Sequence, residues 1–202
     1  IAGLSETGIW QGILGNADGS GEALALGVWN PSLGFGDIRT GDFNGDGRTD
    51  IIGRSSGGQW WAAMAQAEVV GFNNELIGGW STATEWTSVA SGDFNGDGST
   101  DLVGRASNGQ WWGLMSDSTG GIRTNSLIGY WSRRVNWTGI ITGDADGDGR
   151  DDIIGRIATS ENSARGRIWV GRIGEGLMQS QAWGFNNTPA DVEAKQIFFG
   201  NF

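Results

Sequence analysis

The chain has 202 residues, enough for one compact domain, and it contains neither cysteine nor histidine. Disulfides and histidine-based catalysis or metal binding are therefore excluded. The formal charge is −10, which argues against a nucleic-acid partner because such a partner requires a basic surface. No stretch approaches the roughly 20 apolar residues of a membrane span. The 38 glycines and 12 tryptophans indicate many tight turns and an architecture that buries large rings.

The first residues of the chain already belong to a repeat. IAGLSETGIWQ, at 1–11, aligns without a gap on IIGRSSGGQWW, at 51–61. Three similar acidic segments follow, each beginning 51 residues after the last (41 to 92, and 92 to 143), and they occupy residues 41–54, 92–105 and 143–156. This regular spacing predicts a repeat architecture.

Within one repeat, four short runs of β-forming residues are separated by turn residues. In the second repeat the predicted strands are 86–94, 101–105, 110–115 and 125–131. Each run is too short and too interrupted by glycine for a helix. Four short strands per repeat of this length are typical of a β-propeller blade.

We therefore predict an all-β fold, with residues 1–202 forming a single β-propeller domain. The repeat units are approximately 35–85, 86–136 and 137–193, and residues 194–202 plus 1–34 form a composite fourth blade. The last segment, QIFFGNF, supports that pairing because its Gly200 and Phe202 occupy the positions of Gly41 and Phe43. Four blades closed by shared terminal strands would leave no exposed sheet edge. Two alternatives remain open: half of an eight-bladed ring formed by a homodimer, or a fragment of a larger propeller.

The acidic segments carry the spacing D-x-N-x-D-G-x-x-D, which predicts calcium loops. Ca²⁺ binds six to eight oxygen ligands, and this spacing supplies carboxylate, amide and carbonyl oxygens within one tight coil. The first loop offers Asp42, Asn44, Asp46, the carbonyl of Arg48, and Asp50; the second offers Asp93, Asn95, Asp97, the carbonyl of Ser99, and Asp101; the third offers Asp144, Asp146, Asp148, the carbonyl of Arg150, and Asp152. Three calcium sites are expected.

These loops also account for the net charge of the chain. Their ten ligand aspartates, taken from 23 acidic residues, leave 13, which equals the 13 lysines and arginines. In the third loop Asp146 replaces an asparagine, so we expect that site to bind calcium most tightly. An EF-hand is excluded because Gly53, Gly104 and Gly155 stand where its twelfth-position glutamate would be.

The segments GDFNGDGRTDIIGR, GDFNGDGSTDLVGR and GDADGDGRDDIIGR resemble FG-GAP repeats, also called VCBS repeats. These repeats form the blades of the integrin α-subunit propeller and of many secreted bacterial proteins. The resemblance implies a propeller with calcium in the loop between the first and second strands of a blade. Such propellers usually have seven blades, whereas this chain supplies four, and Asn201 stands where the first ligand of a fourth loop would be.

Three further features of the repeat admit either a structural or a functional interpretation. Tryptophans that close each repeat could pack in the core or form a platform for sugars, and they are Trp29, Trp80, Trp131 and Trp183. Arginines recurring at Arg54, Arg105 and Arg156 could be structural partners at each blade junction or could bind a ligand. The G-x-S-x-G pattern at 53–57 has no histidine to complete a triad, so we predict a turn there.

The sequence therefore predicts a non-enzymatic, calcium-binding propeller, extracellular or at the cell surface and of the bacterial secreted type, which serves as a binding, adhesion or scaffold module. The alternatives are a lectin-like module that binds glycans and an accessory domain of a secreted polysaccharide-active enzyme. The expected partners are calcium and either glycans or another extracellular protein. Fold alone does not identify the ligand.

Overall fold

The structure is a computed structural model and describes residues 2–15, 17–116, 122–158, 168–174 and 177–183. These residues form 15 β-strands and one short 3-10 turn at Pro31–Leu33, and none of them is α-helical. No helix long and apolar enough to cross a membrane occurs among them. The strands form four antiparallel sheets in which neighbours along the sheet are neighbours along the chain. The predicted all-β class with propeller-type blades is confirmed.

The first sheet, called here the N-terminal sheet, contains β1 (Ala2–Leu4), β2 (Ile9–Gly15) and β3 (Gly21–Val28). Blade 1 contains β4 (Gly36–Gly41), β5 (Asp50–Arg54), β6 (Gln59–Ala65) and β7 (Phe72–Gly79). Blade 2 contains β8 (Trp86–Gly92), β9 (Asp101–Ala106), β10 (Gln110–Ser116) and β11 (Ile122–Tyr130). Blade 3 contains β12 (Trp137–Gly143), β13 (Asp152–Ile157), β14 (Ile168–Arg172) and β15 (Gln179–Trp183). Residues 194–202, predicted to complete the N-terminal sheet, lie outside the described residues.

In blade 2 all four predicted strands are present, with small differences at their ends. The largest differences are that β8 ends at Gly92 instead of residue 94, and that β11 begins at Ile122 instead of residue 125. Phe94 leaves β8 because its backbone N–H bonds the carboxylate of Asp101 across the acidic loop, at 3.1 Å. The loop therefore begins earlier than the alternation of side chains suggested.

The G-x-S-x-G segment begins in the last residues of β5 and continues into a β-turn before β6, so the predicted turn lies at its serine. The N–H of Gly58 donates to the carbonyl of Ser55 at 2.9 Å, and Gly58 has a φ of 83°, which favours glycine. The Ser55 hydroxyl accepts a hydrogen bond from the backbone N–H of Gln59. The carbonyl of Gly58 accepts the N–H of Trp80 at 2.9 Å, so this turn also fixes the end of β7.

The hydrophobic core lies between successive sheets. One cluster joins blades 1 and 2 and includes Trp60, Trp80 and Leu102. A second joins blades 2 and 3 and includes Trp111 and Trp131. A third cluster lies between the N-terminal sheet and blade 1. Blades 1 and 2 are thus each packed between two sheets. Of the adjacent tryptophans, Trp60 and Trp111 lie in the core, and Trp61 and Trp112 are half-buried.

A tryptophan at the end of each sheet packs on a glycine in the second strand of the next sheet. A Cβ atom at Gly104 would lie 2.5 Å from the ring of Trp80. The same relation holds for Gly53 with Trp29, and for Gly155 with Trp131. Trp80 is itself held between Trp60, edge-on at 5.3 Å, and Trp86, stacked at 4.5 Å. The glycines therefore allow the sheets to approach closely.

Burial of these rings excludes three of the four tryptophans considered as sugar platforms. Trp29, Trp80 and Trp131 are only 3%, 5% and 4% exposed. The fourth, Trp183, is half-buried at the end of β15. The structural interpretation is thus correct for the first three tryptophans, because each is enclosed between two sheets.

Successive acidic loops are joined by one backbone–backbone and one backbone–side-chain hydrogen bond, and we call each junction a loop latch. In the first latch the N–H of Asp42 donates to Oγ1 of Thr100 at 3.0 Å, and the N–H of Thr100 donates to the carbonyl of Asp42 at 2.7 Å. In the second latch Asp93 and Asp151 make the equivalent pair of bonds, at 2.8 and 2.7 Å. Each loop is therefore anchored to the next.

Replacing Gly104 with alanine should destabilise the protein. The new methyl group would overlap the ring of Trp80, which cannot move freely because Trp60 and Trp86 enclose it. We expect a loss of about 1–3 kcal/mol in the free energy of unfolding, measured by chemical denaturation. The matched control is G36A, since a Cβ at Gly36 meets nothing within 4 Å. Equal stability of G104A and G36A would contradict this packing.

Replacing Thr100 with valine should weaken the first loop latch. Valine keeps the shape of threonine but removes the acceptor of the Asp42 N–H, which should cost about 1 kcal/mol in unfolding free energy. The control is T82V, because Thr82 is exposed and its side chain makes no hydrogen bond to any described residue. Equal denaturation midpoints for T100V and T82V would show that the latch contributes nothing.

Candidate metal centre

Each acidic loop coils around the carboxylate of its first aspartate. In the first loop Asp42 accepts backbone N–H groups from Asp46 and Gly47, at 3.0 and 2.7 Å. Asp93 accepts the N–H groups of Asp97 and Gly98 in the second loop. Asp144 accepts those of Asp148 and Gly149 in the third. The same coil therefore forms in all three loops, and Gly47, with a φ of 82°, allows its sharp turn.

The last aspartate of each loop is buried, and in the first two loops it fastens the loop to the blade. Asp50 is fully buried, and its two carboxylate oxygens accept the N–H groups of Phe43 and Ala65, at 2.9 and 2.8 Å. Asp101 is also fully buried and accepts those of Phe94 and Ser116. This second role was missed from sequence, where these aspartates were predicted only as ligands that close the metal cage.

Burial makes these carboxylates electrostatically costly. It raises the pKa of Asp101 to about 7 and the pKa of Asp152 to about 6, and it also raises the pKa of Asp50. Backbone hydrogen bonds oppose these increases, while neighbouring loop aspartates add to them. A divalent cation within the loop would stabilise the ionised form of each group.

The third loop brings three carboxylates together. Oxygens of Asp144, Asp146 and Asp152 all lie within 4.8 Å of one another. A donor set made only of oxygen suits a hard cation such as Ca²⁺. No other acidic group among the described residues converges in this way. In the first two loops an asparagine takes the place of Asp146, so fewer carboxylates are available there.

Those asparagines nevertheless contribute oxygens within their loops. The side-chain oxygen of Asn44 accepts the N–H of Asp46 at 3.2 Å, and that of Asn95 accepts the N–H of Asp97 at 2.8 Å. Their amide nitrogens donate to the carboxylates of Asp46 and Asp97. Each asparagine therefore lies beside the third predicted ligand of its loop, Asp46 or Asp97. Metal ligation by the first two loops stays a prediction.

Arginine side chains partly neutralise the first and third loops. Arg48 forms an ion pair with Asp46, and Arg150 lies 2.6 Å from Asp148, which lowers the pKa of that carboxyl. Arg172 lies 2.5 Å from Asp146. From the sequence, Arg48 and Arg150 were predicted to contribute only their backbone carbonyls as metal ligands. The extra charge of Asp146 is thus offset by Arg172, and the tighter affinity expected for this loop stays a prediction.

The second loop has no such arginine, because Ser99 occupies the position of Arg48. Its hydroxyl is buried and has no hydrogen-bond partner, although its backbone N–H donates to Asp97 at 2.8 Å. An unpaired buried hydroxyl is unfavourable. A cation near this oxygen would remove that penalty, so the donor set of the second loop also fits Ca²⁺.

The recurring arginines lie where their blades lead into the next. Arg54 donates to the carbonyls of Trp80 and Ser81, both at 3.2 Å. Arg105 makes the equivalent bond to the carbonyl of Ser132 at 3.2 Å. Both arginines therefore hold the connecting segment through carbonyl oxygens, which agrees with the structural interpretation of a partner at each blade junction.

Comparison with known proteins agrees with this geometry. Residues 42–104 match the family model described as FG-GAP-like repeat. This match spans the first two acidic loops and the strands between them. No curated protein matches the chain. Residues 42–104 therefore carry an FG-GAP-like repeat, and the sheets of the described residues have the antiparallel order of β-propeller blades.

Proposed function

We propose that this chain is a calcium-stabilised extracellular propeller that acts as a binding or scaffold module and has no catalytic activity of its own. The observation that carries the proposal is the convergence of Asp144, Asp146 and Asp152. FG-GAP repeats are often calcium-binding and are typical of extracellular proteins. The only serine motif of catalytic type is a turn, which supports a binding role rather than hydrolysis.

Calcium would act on the junctions between blades as well as within each loop. The latches connect the loops in series, so order in one loop supports the position of the next. Three ions would change the formal charge from −10 to about −4, since each adds two charges. Binding to the folded state alone stabilises that state in proportion to the logarithm of the calcium concentration.

Removal of calcium should lower the melting temperature, and excess Ca²⁺ should restore it. At about 100 times the dissociation constant, one site contributes roughly 2.7 kcal/mol. We expect three ions per chain by native mass spectrometry and one fewer in D144N. The charge-matched control is E6Q, since Glu6 is exposed and lies outside the loops. An identical melting curve in EDTA and in calcium would overturn the proposal.

We also propose that the N-terminal sheet is completed to give a closed four-bladed ring. Thr49 occupies the position of Thr100 and Asp151, each of which bonds the loop of the preceding blade. Thr49 is exposed and has no such partner among the described residues. The N-terminal sheet precedes blade 1 and already packs on it through Trp29. A first strand added to that sheet would bring a loop backbone to Thr49.

In a closed ring, T49V should destabilise the protein about as much as T100V, because it would remove the same kind of acceptor. Chemical denaturation of both variants tests this expectation, and solution mass in calcium should be that of a monomer. Unchanged stability of T49V would argue against closure at this junction. A calcium-dependent dimer would instead support the eight-bladed alternative.

A further inference from the structure

A polar cleft of about 530 Å³ lies where blade 2 leads into blade 3. It is lined by the start of β8, by the end of β9 and the turn that follows it, by residues 133–136 between β11 and β12, and by Trp137 at the start of β12. Its charged lining residues are Arg105, Arg133 and Arg134, and no acidic residue lines it. We call it the arginine cleft. Three cations in one cleft are notable in a chain whose formal charge is −10.

Arg105 is buried in this cleft without a negative partner. Arg105 is only 7% exposed. Its guanidinium group donates two hydrogen bonds, to the neutral oxygens of Thr87 and Ser132. Its Nε is buried and has no acceptor. No carboxylate of the described residues forms an ion pair with Arg105, Arg133 or Arg134. A buried cation of this kind is unfavourable unless an anion joins it.

The preceding junction provides an internal comparison. Arg54 occupies the position of Arg105 there, and it bonds the connecting segment in the same way, with its Nε also buried and without an acceptor. Thr82 and Ala83 stand in place of Arg133 and Arg134, and Glu85 stands in place of Asn136. The connecting segments are anchored in the same way, since the N–H of Ser107 donates to the carbonyl of residue 85 and the N–H of Ala158 to that of residue 136. Blade packing therefore does not require the paired arginines.

We propose that the arginine cleft binds the carboxylate or sulfate group of an acidic saccharide. Guanidinium groups recognise such oxyanions through paired, charge-assisted hydrogen bonds. The neutral part of the lining suits a sugar ring, because it offers the hydroxyl of Ser88, the amide of Asn136 and the half-buried Trp137. The volume is within the range of small-ligand sites. The site extends the proposed binding role and does not involve the acidic loops.

The test uses calcium-loaded protein and a chondroitin sulfate hexasaccharide, which carries both carboxylates and sulfates. Calorimetry measures affinity, and the NMR signal of the Arg105 Nε–H group reports the site. Chitohexaose is the neutral control, sodium sulfate supplies the free oxyanion, and a hexa-aspartate peptide supplies an acidic polypeptide. We expect saturable binding of the hexasaccharide only, together with a shift of the Arg105 signal.

The variant R133T/R134A installs the residues of the preceding junction, so it should fold as the wild type does. Loss of two charge-assisted contacts should raise the dissociation constant roughly tenfold or more. The preceding junction is an internal control, because Gly36 and Asp37 stand there in place of Thr87 and Ser88, and it lacks the paired arginines. The hexasaccharide should therefore leave the Arg54 Nε–H signal unchanged, and an equal response of the Arg54 and Arg105 signals would contradict a site at the arginine cleft.

Several results would overturn the proposal. One is no saturable binding of the hexasaccharide, and another is an unchanged dissociation constant in R133T/R134A. Equal affinity for sulfate alone would assign the cleft to a free ion, and tighter binding of the peptide would assign it to a protein partner. These outcomes are distinguishable from those of the calcium test. A protein stabilised by calcium could still fail to bind the saccharide, and a protein that binds the saccharide could still show no stabilisation by calcium.

Discussion

The structure depends on the contact between the tryptophan that closes one sheet and a glycine of the next. At each described junction the ring occupies the space that a Cβ atom would need. This contact sets the distance between successive sheets, and it encloses the second and third strands of each blade in the core. It also brings neighbouring acidic loops within hydrogen-bond distance, as the pairing of Asp42 with Thr100 shows. Loop latches and clefts between blades both follow from that spacing.

The three loops share one backbone arrangement but differ in how their charge is balanced. The first aspartate organises each coil, and the last one fastens the first two loops to their blades. Among the described residues, three carboxylates converge only in the third loop. Arg48 compensates the first loop, and Arg150 and Arg172 compensate the third. The second loop has only the unpaired hydroxyl of Ser99 at the corresponding position. Acidic loops with the same backbone arrangement therefore need not bind a cation with the same affinity.

Local features were predictable from sequence, whereas contacts between distant residues were not. The strands of blade 2 and the turn at Gly58 follow from runs of β-forming residues and glycine positions. The acidic loops follow from aspartate spacing. The burial of Trp80 depends on Gly104 in another blade, and the pairing of Arg172 with Asp146 depends on the register between β13 and β14. Asp37, a non-glycine residue with a φ of 48° beside the irregular pairing of β4 and β5, also has no local signal.

Repetition within the chain separates what the fold requires from what it only permits. Every described junction keeps the closing tryptophan and the glycine beneath it, and the arginine bonds to the connecting segment recur at Arg54 and Arg105. Thr82 and Ala83 become Arg133 and Arg134 at the next junction without any change in that framework. Two exposed cations beside a buried one increase electrostatic repulsion, which a purely structural junction would avoid. The arginine cleft is therefore better explained by a ligand than by packing.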